Sequence, residues 1–206
     1  MAQTDPLEQA LRGAAETLPT DPPPQLELPA STAGLLDVAY ATLDSPVGKL
    51  LLASTTLGIV RIAYVDEAGE DAALAELAAR ISPRVLAAPR KLDDPRRELE
   101  DYFYGRRRRF DFGLDWRLTQ GFGRRVLKAT ARIPYGDVST YKRVATAAGS
   151  PRGSRAAGNA LGSNPLPIIV PCHRVLHSDG GLGGYTGGVE RKRLLLGVEG
   201  AAITGE

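Results

Sequence analysis

The chain has 206 residues, 43% of them hydrophobic, and a formal net charge of +2, which suits one large domain or two small ones with a real apolar core. No apolar run approaches the ~18 residues of a membrane helix, and the opening "MAQTDPLEQALRGAAETL" lacks the basic start and apolar centre of a signal peptide, so a cytoplasmic protein without membrane contact is expected. A single cysteine excludes an internal disulfide, and one thiol with two histidines falls short of a four-ligand structural zinc site, so neither metal nor cofactor is expected. The charge is unevenly spread. Residues 1–115 carry 13 Lys and Arg against 19 Asp and Glu, whereas residues 116–206 carry 13 against 5. A basic second half is the footprint of a module that meets polyanions, although basic domains also exist for solubility alone.

In chain order, Asp5 and Pro6 form an N-cap and first helical position ahead of Leu7, Ala10, Leu11, Ala14 and Leu18, a short helix on a floppy tail. The proline-rich "TLPTDPPPQLELPASTAG" then reads as a linker or disordered tether. From residue 36, apolar and polar positions alternate between the turn signals "DSPVG" and "TTLG", which predicts an antiparallel sheet of about three strands. "DEAGEDAALAELAARIS" places Ala73, Leu77 and Ile81 at helical spacing, and "PRRELEDYFYG" reads as a second helix stopped by Gly105. The run Arg106 to Arg109 reads as a solvated loop, and nothing in this half supplies a nucleophile or a paired base.

The second half reads as helical. "GFGRRVLKATARIPYG" puts Phe122, Val126 and Ala129 on one face and Arg124, Arg125, Lys128 and Arg132 on the side that meets water or phosphate. "DVSTYKRVATAAG" offers Ser139 or Thr140 as N-cap, a buried face of Tyr141, Val144, Ala145 and Ala148, and Gly149 as stop. After the turn "SPRG", a helix with Ala157, Ala160 and Leu161 facing inward completes a helix-turn-helix pattern. Its outer positions are Gly153, Ser154, Ala156 and Gly158, with Arg155 the one long side chain, so it has almost nothing to read base edges in a major groove. Small residues suit a close approach to a minor groove, with Arg155 entering the stack in place of a displaced base. They equally suit a helix packed on another helix, and spacing leaves both readings open.

Cys172, His173 and His177, the chain's whole supply of thiol and imidazole, follow the apolar run "PIIVP". A thiolate is a nucleophile, and a neighbouring base supplies it from the thiol. Neighbours on an extended chain point to opposite faces, so His173 can serve Cys172 only through a bend at the cysteine or a bridging water.

The segments "IPYGDVSTYKRVA", "RAAGNALGSNPLPIIVPCHRVL", "GGLGGYTGG" and "KRLLLGVEG", with the weaker "DSPVGKLLLA", together resemble the O6-alkylguanine-DNA alkyltransferases, also called methylated-DNA–protein-cysteine methyltransferases. The resemblance implies a DNA repair protein that flips O6-alkylguanine out of the duplex and transfers the alkyl group irreversibly to its own cysteine. Cys172 would be that nucleophile, deprotonated through a water by His173, which Glu199 orients, with Asn164 ordering the turn around the thiol. Tyr141 would donate toward the guanine and return a proton as the base leaves, while Arg155 fills the vacated space. Pro167, Tyr185 and Thr186 would wall the pocket, with a backbone N–H near Thr186 aimed at O6 and the carbonyls of Cys172 and Val175 accepting from the exocyclic amine. The implied partner is double-stranded DNA, held through its minor groove by a monomer that binds singly or cooperatively. Leu127 stands where the family often has Trp, a difference of packing, and the cysteines of members with an N-terminal zinc site are missing here.

The combined expectation is an α+β chain. Residues 1–35 form a disordered or linker extension, 36–115 a structural domain with a small antiparallel sheet and helices, and 116–206 a mainly helical DNA-binding and alkyl-transfer domain with the helix-turn-helix and the PCHR site. A non-catalytic helix-turn-helix regulator or lesion binder is the alternative. It would carry Arg, Gln or Asn along its second helix if it read the major groove, where this chain has glycine and alanine. A redox protein would have a resolving second cysteine, and a cysteine hydrolase would place its histidine far along the chain.

Overall fold

The computed structural model describes residues 36–65 and 69–201; the expected helix over 7–18 and the proline-rich tether lie outside them. Strands β1 (Val38–Leu43), β2 (Leu50–Thr55) and β3 (Gly58–Tyr64) form the antiparallel meander that the alternation predicts. The sheet is one strand larger than expected. Val85–Ala87 adds β4, which runs parallel to β1 and completes the order β3-β2-β1-β4. Three residues are too few to show a period of two, so this strand left no sequence signal.

Strand β2 is buried on both faces. Leu50 and Leu52 point into one core and Leu51 and Ala53 into another, as successive side chains on a strand must. The smaller core is closed by helix α1 (Gly69–Arg80), whose Ala73 and Leu77 are the residues its spacing selects. The larger core draws on helix α2 (Asp93–Phe103) through Leu99, Tyr102 and Phe103, and continues through Val126, Val144, Ala157, Ile168, Cys172 and Leu195 of the second half. From Leu36 onward the chain is thus one compact unit. At Gly58 the chain needs glycine, because a Cβ there would sit 2.1 Å from the Gly113 carbonyl oxygen where the strand meets the segment that leads into the second half.

In the second half, helix α3 (Gly121–Thr130) buries Val126, Leu127 and Thr130. Its arginines are less free than amphipathicity implies. Arg124 donates to the carbonyls of Thr119 and Trp116, and Arg125 to that of Ala148, so both brace the fold. Helix α4 (Tyr141–Ala147) begins at Thr140, whose hydroxyl accepts from the Arg143 N–H, and is followed by Gly149 at φ +84°. Helix α5 (Ser154–Gly162) follows as the second arm of the helix-turn-helix, and α6 (Val189–Val198) closes the unit. A two-residue parallel pairing, β5 (Ser139–Thr140) with β6 (Val175–Leu176), ties the start of α4 to the segment just after Cys172. That pairing fixes Tyr141 relative to the thiol.

Candidate active site

Cys172 is presented by a loop that closes on Asn164. The Asn164 side-chain nitrogen donates to the Val170 carbonyl at 2.9 Å and to Cys172 Sγ at 3.2 Å, while its oxygen accepts from the Leu166 N–H at 3.0 Å. The loop between carries Ile168 at φ +74°, a conformation that a β-branched residue adopts only under constraint. A 3₁₀ turn, Cys172–Arg174, then supplies the bend that an extended chain lacks. Burial pushes the Cys172 thiol up to about 11, against the opposing pull of Asn164, the Lys192 ammonium and the backbone N–H groups of Cys172 and His173. The resting group is therefore a thiol.

His173 is completely buried, and its Nε2 lies 2.8 Å from Glu199 Oε1. Burial alone would raise the Glu199 carboxyl, but hydrogen bonds from His173, Arg174 and Tyr102 hold it at about 2. Facing an ionised carboxylate, Nε2 must carry the ring proton. Nδ1 is then the basic nitrogen, and it is buried without a protein partner. Burial also lowers the His173 pKa, more than Glu199 raises it, which keeps the ring neutral and able to accept. The carboxylate itself is held from three further sides. Arg174 donates to both oxygens at 2.8 Å, Tyr102 donates to Oε1 at 2.6 Å, and the Gly136 N–H approaches Oε2 at 3.3 Å.

In front of the thiol opens a cavity of about 640 Å³. Of the residues expected at the site, Cys172, Tyr141, Ser154, Arg155, Gly158, Tyr185 and Thr186 line it. Asn164, His173 and Glu199 stand behind it as the buried support of the thiol. Arg155 and Ala156 are exposed on α5, and Gly153 is its N-cap, where a Cβ would meet the Ser150 hydroxyl at 2.7 Å. Pro167 and Val175 are buried, Pro167 in the loop closed by Asn164 and Val175 in β6, and neither side chain forms cavity wall. The Thr186 hydroxyl is tied to the last carbonyls of α5, those of Leu161 and Gly162. Tyr141, half-buried, packs its ring 5.1 Å from that of His177, a second imidazole on the cavity wall.

Sequence reasoning missed four supporting groups. Tyr102 comes from the half read as purely structural, and Arg174 was passed over inside the PCHR motif. Lys192 is fully buried in α6, donating to the carbonyls of Val175 and Leu182, and burial lowers its ammonium to about 8. Tyr64, on β3, meets the Tyr185 hydroxyl. Only Lys192 left a trace in the sequence, as a charge on the inward side of "ERKRLLL", and that trace needs the helix to be read.

Comparison with known proteins shows the chain's relatives. Residues 38–116 match the family model of the 6-O-methylguanine DNA methyltransferase ribonuclease-like domain, and residues 121–201 match that of the same proteins' DNA binding domain. A methylated-DNA–protein-cysteine methyltransferase of Mycolicibacterium paratuberculosis is 38% identical over 162 residues, covering 79% of this chain and 92% of the relative. One from Methanosarcina barkeri is 36% identical over 160 residues, covering 78% and 96%. The crystal structure of Mycobacterium tuberculosis OGT in complex with DNA superposes with a TM-score of 0.67 at 36% identity, covering 79% of this chain and 92% of that one. With both domain patterns matched and a relative 38% identical over most of both chains, the chain belongs to the 6-O-methylguanine-DNA methyltransferase family.

Proposed function

We propose that this protein repairs DNA by moving the alkyl group of O6-alkylguanine onto Cys172. The observation that carries the proposal is the thiol itself: buried, protonated at rest, next in the chain to a buried His173 whose Nδ1 has no partner, and facing a cavity that Tyr141 and Arg155 share. The S–H proton passes to Nδ1 through a water, and the His173 ring becomes an imidazolium paired with Glu199. The thiolate attacks the alkyl carbon in line, the S–C bond forms as the C–O6 bond breaks, and the electron pair of that bond goes to the guanine. Tyr141 lends its proton to the departing base and regains one from solvent or the imidazolium, so the proton that left sulfur is balanced by the one that leaves with guanine.

DNA is gripped by the helix-turn-helix. The reading of a minor-groove approach rests on the small outer residues of α5, Gly153, Ser154, Ala156 and Gly158, which let a backbone come close, and on Arg155 as the side chain that takes the place of the extruded base. A monomer holds everything the reaction needs, because every group named above lies on one chain. The S–C bond of the thioether is not opened by thiol exchange as a disulfide is, and Cys172 is the chain's one cysteine, so each molecule acts once. Intact-mass spectrometry after mixing with a duplex that contains O6-methylguanine tests the reading. The expected result is one added methyl group, on the Cys172 peptide, and none in Cys172→Ser. Binding without mass gain would support a lesion binder that does no chemistry instead.

A further inference from the structure

Tyr185 walls the reaction cavity from a loop with little regular structure, and the Gly188 N–H bond to its carbonyl is a purely local turn. Its side chain is anchored from elsewhere. The Tyr185 hydroxyl lies 2.6 Å from the hydroxyl of Tyr64 at the end of β3, and the two rings meet edge to face at 6.1 Å. Arg191 of α6 covers the other partner, with its guanidinium 4.7 Å from the centre of the Tyr64 ring. That guanidinium is itself fixed, donating to the Val47 carbonyl at 2.7 Å and to the Gly187 carbonyl at 3.1 Å. Gly187 makes the approach of the rings feasible, since a Cβ there would stand 2.6 Å from Tyr64 and 3.0 Å from Tyr185. The held ring also rests edge-on against His173, at 6.3 Å and 86°.

We propose that Tyr64 is a positioning residue for alkyl transfer: from the N-terminal sheet it fixes the Tyr185 ring that shapes the cavity in front of Cys172 and packs on His173. The sheet domain thereby contributes to the reaction without touching substrate. The bond to Tyr64 turns the Tyr185 hydroxyl toward the sheet and fixes the plane of the ring. This rests on the alkyl-transfer reading above.

Single-turnover transfer from free O6-benzylguanine and from a methylated duplex tests it, with DNA affinity measured in parallel. Tyr64→Phe keeps the ring and the Arg191 contact but loses the bond, and it should slow transfer at saturating substrate by about three- to tenfold, the effect of one net hydrogen bond. DNA affinity should not change. Tyr185→Phe should slow transfer equally, and the double variant no further than either single change, because the two substitutions delete one bond. Gly187→Ala, which pushes the rings apart and leaves both hydroxyls, should slow it as well. Tyr64→Phe at the wild-type rate, multiplying effects in the double variant, or a Tyr185→Phe loss far beyond that of Tyr64→Phe would each overturn the proposal. A wild-type protein that gains no alkyl group overturns the alkyl-transfer reading itself, and this proposal with it.

Discussion

Glu199→Gln removes the charge on which the buried relay is built. The carboxylate accepts from His173, twice from Arg174 and from Tyr102, and it is the only carboxylate paired with Arg174 among the described residues. Lowering its pKa from the ordinary value of 4.5 to about 2 corresponds to about 3 kcal/mol of folding stability at neutral pH. Leaving the Arg174 guanidinium buried without its partner costs about 3–5 kcal/mol by the general rule for broken buried pairs, so the two routes agree. For a chain of this size each kcal/mol is worth about 2–4 °C, which puts the variant's melting temperature about 10 °C below wild type at pH 7. The sign with pH follows from the depressed pKa. The stabilisation is complete above the unfolded value of 4.5 and is lost as pH falls toward about 2, so the gap between the two proteins must narrow over that interval. Tyr102→Phe, which deletes one donor to the buried carboxylate at about 1.5–3 kcal/mol, should lower the melting temperature by about 3–12 °C. Thermal melting from pH 7 down to pH 3 measures all of this, and Glu199→Gln should also slow alkyl transfer because Nε2 then faces a neutral amide, which neither stabilises an imidazolium nor fixes the ring tautomer. A variant that melts within about 2 °C of wild type, with a gap independent of pH, would refute the reasoning.

Three further outcomes are expected. With its thiol pushed up by burial, Cys172 should react with iodoacetamide at pH 7 more slowly than free cysteine does, by mass spectrometry; an equal or faster rate would mean an exposed or acidic thiol. Arg155→Ala should slow repair in duplex DNA far more than attack on free O6-benzylguanine, since only a duplex has a gap to fill, and equal slowing would assign Arg155 to the pocket instead. Asn164→Ala strands the Leu166 N–H in the interior, while the Val170 carbonyl keeps the Cys172 N–H, so it should cost about 1–3 kcal/mol in denaturant unfolding as well as activity; activity lost at full stability would confine Asn164 to the thiol.

What could be seen in the sequence was whatever depends on near neighbours. Ala73 and Leu77, the Thr140 cap and Gly149 all follow from spacings of one turn or from backbone geometry, and each lies where it was expected. The reactive turn was legible because its chemistry is packed into the stretch from Asn164 to His173. The rest depends on distance. Tyr102 and Glu199 are 97 positions apart, and Tyr64 and Tyr185 are 121 apart, so nothing local marks either pair. Arginine is ambiguous for a similar reason. Arg124 and Arg125 read as an exposed basic face, yet both donate to carbonyls of the fold, Arg125 through its Nε–H, because a guanidinium serves equally as a phosphate ligand and as a brace for a loop.

The charge arrangement accounts for the direction of the chemistry. At rest the interior around sulfur holds one carboxylate, Glu199, against Arg174 and Lys192, with His173 and Cys172 both neutral. In the proposed reaction, moving the thiol proton to Nδ1 would create a thiolate and an imidazolium on adjacent residues. The thiolate gains the Lys192 ammonium, the Asn164 amide and two backbone N–H groups, while the imidazolium gains Glu199. Both new charges therefore appear where partners already stand, and the low dielectric that keeps the thiol protonated strengthens those same partners once it ionises. Transfer then removes the thiolate and leaves a thioether, which can no longer answer Lys192 or accept from Asn164 as an anion. The reaction discharges an interaction set that the packed interior was built around, and it adds a methyl group where Asn164 already sits 3.2 Å from sulfur. Overpacking of that size costs about 1–3 kcal/mol. The strain falls on the loop that leads back to α5, so the alkylated protein is expected to melt lower and to release DNA faster than the unreacted one; an unchanged melting temperature and off-rate after one round of transfer would refute this.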